Sequence, residues 1–307
     1  MKNRLYTLNH YWFAPISPLR LAILRIATGC FSLWYLLDRY GMLQRLSKSD
    51  AALFEPVGLA NLLAGPLSPE VFQMVLLATI GLNIAYVLGW KFRWTGPTFS
   101  IGLLFFMSYR NSWSMIYHNY NSLVITIFAL GLVASADALS LDRMNRSSPT
   151  PKANWRYGWP VKLICACTLA AYFLSGLAKV FGDLAWSWID GSAMRSQIAV
   201  DALRKEMLGG TGTALFEWLY PHTTLFFMLG FGALILELGA PLVLLHKRLT
   251  AVWVVLTLSM HWGIYLIMGI DFPYHTSGLI FLSFFELEKT WSAVQQIFNP
   301  REKAMYS

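Results

Sequence analysis

Six ionisable side chains, Arg110, His118, Lys179, His261, Asp271 and His275, lie at or near the ends of long apolar runs. A charge in or beside hydrocarbon is costly and usually persists for a function. Lys179 closes the run Leu174-Ser175-Gly176-Leu177-Ala178-Lys179. One reading is a lysine that snorkels to the headgroups. The other is an amine desolvated enough to give up its proton and act as a base. His118 sits in Ser108 to Asn121, the densest polar-aromatic stretch of the chain, with Arg110, Trp113 and Tyr117 beside it. A turn with that many hydrogen-bonding groups is expected to fold into a bundle, where each buried polar group needs a partner. His118 there suits an acid, a base or an oxyanion donor. Glu237 and Arg25 lie in the middle of their runs, so Glu237 is a candidate partner for Arg25. Gly239 and Ala240 beside Glu237 permit close helix approach.

Other chemistries find no support in the spacing. His261, Asp271 and His275 match no metal motif, and no metal site is expected. H-E-x-x-H, G-x-S-x-G, C-x-x-C and a phosphate-binding glycine loop are all absent from the sequence. Cys30, Cys165 and Cys167 fall within apolar runs and suggest no disulfide framework.

The elements that position these groups are membrane helices. The chain of 307 residues is 56% hydrophobic and only 13% charged, against about 25% charged in average soluble domains, and its mean hydropathy is +0.48. The expected fold class is all-α, a polytopic transmembrane helical bundle and a single domain with its core at about 18–286. About eight spans are expected: Pro18 to Leu37, Pro69 to Trp90, Gly96 to Tyr109, Asn121 to Ala136, Val161 to Lys179, Thr223 to Leu245, Leu249 to Met268 and Pro273 to Phe285. The third, fourth and eighth are short. With the N-terminus inside, the cytoplasmic segments hold 15 Lys and Arg residues against 8 outside, Arg25 being left within the first span. That bias predicts a multi-pass inner or plasma membrane protein with both termini cytoplasmic. The net charge of +8 is therefore assigned to topology and anionic lipid rather than to nucleic acid. Between spans five and six, Ser192 to Leu208 reads as a short amphipathic helix in the outer loop, lying in the interface.

Several stretches resemble a known group, the horizontally transferred transmembrane domain family, which includes the vitamin K-dependent γ-carboxylase. They are Ser17-Pro18-Leu19-Arg20-Leu21-Ala22-Ile23-Leu24-Arg25 through Gly29, Asn111-Ser112-Trp113 through His118-Asn119, and Ala136-Asp137-Ala138-Leu139-Ser140-Leu141-Asp142. The sharpest is Tyr172-Phe173-Leu174-Ser175-Gly176-Leu177-Ala178-Lys179 followed by Trp188-Ile189-Asp190-Gly191. The carboxylase has Tyr-Phe-Ile-Ala-Gly-Val-Lys-Lys and then Trp-Val-Glu-Gly. Its second Lys, the proposed base, aligns with Lys179, and its first is Ala178 here. Its important His aligns with His118, and Glu237 and His261 match later positions.

The resemblance implies a quinol- or lipid-cofactor enzyme whose site opens to the non-cytoplasmic side. Lys179 would be the base and His118 the stabiliser, with Arg110, Trp113, Tyr117, Glu237 and His261 binding the cofactor. It implies a reduced quinone, a vitamin K-like hydroquinone, as that cofactor. Membrane lipid and an exported peptide or protein substrate are the implied partners. The chain lacks the carboxylase's large lumenal region, so the chemistry ranges from carboxylation to a related quinol-linked reaction. Two other readings stand beside it: a non-catalytic binding or maturation partner for an exported peptide or lipid, and a transporter with a proton path through its in-membrane charges.

Overall fold

The computed structural model describes residues 9–113 and 115–298. It is all-helical, with no strand among the described residues. The chain divides into two compact units, Met1–Ile164 with Leu282–Ser307, and Cys165–Phe281.

In the first unit, α1 (Pro18–Asp38) starts where Ser17 caps the Leu19 N–H and Pro18 supplies a preset backbone. The short α2 (Tyr40–Leu46) follows. α3 (Pro69–Leu88) opens with the same Ser-Pro signal at Ser68 and stops at left-handed Gly89. α4 (Phe92–Asn111) begins where both carboxylate oxygens of Asp142 accept the N–H groups of Lys91 and Phe92, each at 2.7 Å. α5 spans Asn121–Gly131 and α6 spans Leu141–Met144. α1 packs on α3 and α5, and α4 packs on the same two, so four helices close a ring. Small residues let them approach: a side chain at Gly29 would meet Val87 at 2.7 Å, and one at Gly96 would meet the Gly131 carbonyl at 2.6 Å. The C-terminal helix α14 (Leu287–Phe298) returns to α1 through the Glu288 carboxylate, which accepts from Arg20 Nε at 2.7 Å.

The long helix α7 (Trp155–Phe181) enters the second unit at Cys165. There follow α8 (Ala185–Ile189), α9 (Ser192–Met207), α10 (Ala214–Leu219), α11 (Thr223–Leu238), α12 (Lys247–Met268) and α13 (Pro273–Thr276). Ile198, Leu219 and Phe226 form a buried cluster that joins α9, α10 and α11. Gly230 brings α11 against the Trp188 carbonyl, where a side chain would lie 2.7 Å away. The end of α12 is held from α9 and α10: Lys205 Nζ donates to the Met268 carbonyl and Thr213 Oγ1 to that of Ile267. Two orphan carbonyls of the last turn are thereby satisfied.

Four helices, α1, α3, α7 and α12, are long and apolar enough to cross a membrane. The other expected spans differ for local reasons. α4 has the length but carries Arg93 and Arg110. α5, at 11 residues, rises only about 16 Å. α11 stops at Leu238, because Pro241 supplies no N–H and the chain passes into a 3₁₀ turn, Ala240–Leu245. The eighth expected span is no continuous α-helix: four residues of α13 give way at left-handed Gly278 to 3₁₀ residues Leu279–Phe284. Exposed apolar residues such as Phe227, Phe231 and Ile235 of α11, and Val252, Val255 and Leu266 of α12, suit contact with lipid tails.

Candidate functional site

On α7, Tyr172, Ser175, Gly176 and Lys179 recur at i, i+3, i+4 and i+7, which places all four on one helical stripe. In the second unit that stripe meets Glu237 of α11. Lys179 Nζ donates to Glu237 Oε1, and Ser175 Oγ donates to the same oxygen at 3.3 Å. Gly176 makes the approach possible: a Cβ there would stand 3.0 Å from both Glu237 Cβ and Leu238 Cδ2. The Glu237 side chain is only 6% exposed and that of Lys179 20%. The indole of Trp188, from α8, lies 5.1 Å from the ammonium, close enough for a cation–π contact. The second carboxylate oxygen, Glu237 Oε2, is buried and has no hydrogen-bond partner among the described residues. Lys179 is thus bound into the protein interior, and the snorkelling reading does not describe it.

Further along the same stripe, the Tyr172 hydroxyl is 2.8 Å from His261 Nε2 on α12. The imidazole of His275, from α13, lies 4.4 Å from that of His261, centre to centre. Trp253 packs edge-on to Tyr172 at 5.1 Å and donates its indole N–H to the Leu236 carbonyl. Trp253, Thr257 and His261 share one face of α12, and all three are buried. Thr257 Oγ1 and His261 Nδ1 join Glu237 Oε2 as buried polar atoms without a partner among the described residues. Buried polar groups are ordinarily satisfied, so these three atoms on two facing helices make this region the candidate site. Asp271, in the turn between α12 and α13, accepts from Thr276 Oγ1 at 3.1 Å. Among the described residues, no three His, Cys, Asp or Glu side chains converge as metal ligands would.

In the first unit, the Arg110 guanidinium lies over the rings of Tyr117, Tyr120 and Tyr35, at 4.4, 5.9 and 6.0 Å. Trp113 is buried against Phe54 and Tyr109. The polar-aromatic turn is only half interior. Glu55 N–H and Val57 N–H donate to Ser112, which anchors the Ser112–Trp113 end. Met115, Ile116, Tyr117 and His118 are exposed, in a turn closed by Asn111 Oδ1 accepting from Tyr117 N–H. The expectation of a turn folded into the bundle holds for Ser112 and Trp113 and is corrected for Met115–His118.

The expected pairing of Arg25 with Glu237 is also corrected. Arg25 donates from Nη1 to the Tyr86 carbonyl at 3.2 Å and from Nη2 to that of Leu139, with its face over Phe92 at 5.6 Å. The Tyr86 carbonyl near the end of α3 and the Leu139 carbonyl in the turn before α6 supply the negative charge there, while Glu237 takes Lys179. Tyr172, Ser175 and Trp188 join the site although the sequence reading gives them no role in it. The i−7 and i−4 spacing from Lys179 is the available signal for the first two, and the i−4 and i−8 spacing from His261 for Thr257 and Trp253.

No curated protein and no solved structure matches this chain. A family model described as the HTTM domain matches residues 13–291, across both units. The chain therefore belongs to the HTTM domain family, a family of membrane domains, and its apolar helices make it an integral membrane protein.

Proposed function

We propose that the second unit carries a proton-abstracting site, with Lys179 as base in a membrane enzyme that works on a quinol- or lipid-like molecule. The observation that carries this reading is the buried Lys179–Glu237 pair with one carboxylate oxygen left bare. A base must be buried enough to lose its proton and near enough to an acceptor to pass it on. For Lys179, Glu237 is that acceptor: Oε1 binds the lysine, and Oε2 is left open to a hydroxyl donor. A reduced quinone suits these groups, because a phenolic O–H needs such an acceptor and Trp188, Tyr172 and Trp253 offer flat walls. When bound, a hydroquinone supplies an acidic O–H and reducing electrons. Ser175 fixes the carboxylate, Gly176 sets the helix spacing, and the Trp188 indole packs over the amine. In the first unit, taken by itself, His118 is proposed to stabilise negative charge and Arg110, Trp113 and Tyr117 to contact an aromatic ligand.

The proposed topology has about eight passes, the shorter ones partly sheltered by neighbours, with both termini cytoplasmic as the lysine and arginine bias favours. α9 is proposed as the interfacial helix of the outer loop. Its exposed Val200, Leu203 and Met207 suit the acyl boundary.

Native mass spectrometry of the purified protein tests the ligand class, and a co-purified quinone or lipid is expected. Consumption of that ligand's reduced form should be lost in both Lys179→Ala and Lys179→Arg, since Arg stays protonated. Full activity in Lys179→Arg overturns the base. A clean apo-protein favours the second reading, a binding or maturation partner for an exported peptide or lipid, for which the exposed turn Met115–His118 offers a surface.

A further inference from the structure

Arg110 is half-buried in the last turn of α4, yet no carboxylate pairs with it among the described residues. Asp38, at the end of α1, is taken by Arg39 at 3.3 Å. The end of α4 offers only about half an elementary charge. A cation withdrawn from water ordinarily keeps a counter-charge, and here the protein supplies none.

What it supplies instead is an aromatic cradle. The Arg110 guanidinium lies 4.4 Å from the Tyr117 ring, with Tyr120 and Tyr35 at 5.9 and 6.0 Å. Rings that cover the face of a guanidinium hold it in place and leave its planar N–H fork to meet an oxyanion. The cradle continues along α1. Tyr120 packs on Phe31 at 6.5 Å, and Phe31 packs on Trp34 at 5.2 Å. Trp34 and Leu37 are exposed, on a helix long and apolar enough to cross a membrane. The cation therefore stands at one end of the four-helix ring, and an apolar wall leads from it to the face that suits acyl chains. A fixed planar cation beside such a wall matches an amphiphile with a phosphate head and apolar tails.

We infer that Arg110, cradled by Tyr117, binds the phosphate group of an anionic phospholipid whose acyl chain lies along Trp34 and Leu37. The inference goes beyond the aromatic ligand proposed for this turn and makes no use of Lys179. It also separates Arg110 from a cation that merely reaches the headgroups. Arg45, exposed in the last turn of α2, has no ring over it among the described residues and is the natural comparison.

Native mass spectrometry of the full chain in detergent, titrated with phosphatidylglycerol, phosphatidylcholine or inorganic phosphate, tests this. Phosphatidylglycerol is expected to bind in preference to phosphatidylcholine and to stay bound in excess inorganic phosphate. In Arg110→Gln its affinity should fall roughly tenfold, as the loss of a charge-assisted contact requires. Arg45→Gln removes the same charge and should leave the affinity unchanged. Equal binding of the two lipids overturns the inference, and so does an equal loss in the two variants. Inorganic phosphate that takes the place of the lipid overturns the phospholipid as the source of the anion. If Arg110→Gln fails to fold, Arg110→Lys decides. It keeps the charge but loses the planar fork and its stacking, so affinity should fall roughly threefold, and full affinity overturns the site. The readout is headgroup selectivity, so its failure leaves the aromatic-ligand and Lys179 readings to their own assays.

Discussion

Arg25 and Lys179 are both cations within apolar helices, and the two units treat them in opposite ways. Arg25 in α1 is fully buried and spends two nitrogens on the carbonyls of Tyr86 and Leu139. Only its Nε lacks a partner among the described residues. Gly89 leaves the space the guanidinium fills, since a Cβ there would collide with Nη1. Lys179 meets a carboxylate instead, and that carboxylate keeps an unpaired oxygen. The first arrangement ties the end of α3 to the Leu139 turn and leaves no acceptor over. The second leaves an acceptor that a ligand can use. A membrane charge is therefore read by what its partner has left to offer, rather than by depth alone.

The largest effect should come from breaking the first arrangement. Arg25→Met removes two charge-assisted hydrogen bonds and is expected to cost about 3 kcal/mol or more, read as a large drop in the melting temperature of the solubilised protein. Gly89→Ala should follow in the same direction, because its φ of +62° and the collision with Arg25 both oppose a side chain. Equal stability of Arg25→Met and the parent would erase the contrast.

Lys179→Met comes next. It leaves Glu237 buried and unpaired, at an expected cost of about 3 kcal/mol. The double variant Lys179→Met/Glu237→Leu should recover most of that stability, yet still lose the bound ligand in native mass spectrometry. Recovery of both would make the pair purely structural.

Gly176→Ala should be milder, near 1–2 kcal/mol, because Glu237 and Leu238 must shift by tenths of an ångström. Its sharper readout is weaker ligand retention as α7 moves off α11. The smallest effect is expected for His118→Ala. That residue is exposed, so stability should change by no more than about 0.5 kcal/mol. A loss of ligand retention at unchanged melting temperature would support its proposed role as stabiliser.

Much of the helical plan was legible. Ser17-Pro18 and Ser68-Pro69 announce helix starts, and Gly89 and Gly269 announce stops, because caps and left-handed glycines are local signals. The unevenness of the spans was less legible. The break after Leu238 came from Gly239 and Pro241, and the shortness of α13 from Gly278, and both lie inside runs whose hydropathy continues uninterrupted. Within the candidate site, Lys179, Glu237 and His261 stood out by charge in an apolar setting. Tyr172 and Ser175 look like ordinary residues of an apolar helix until their spacing from Lys179 is counted.

The sequence by itself determined a helical membrane protein of the HTTM family and the stripe of α7 on which Tyr172, Ser175, Gly176 and Lys179 lie, because composition and helical periodicity are properties of neighbouring residues. Only the tertiary structure decided that Glu237 belongs to Lys179 and not to Arg25, and that the His275 ring packs against that of His261. Those choices join residues 58 positions apart in the first case and separate helices in the second, and they follow from which small residues let which helices touch, which no local pattern encodes.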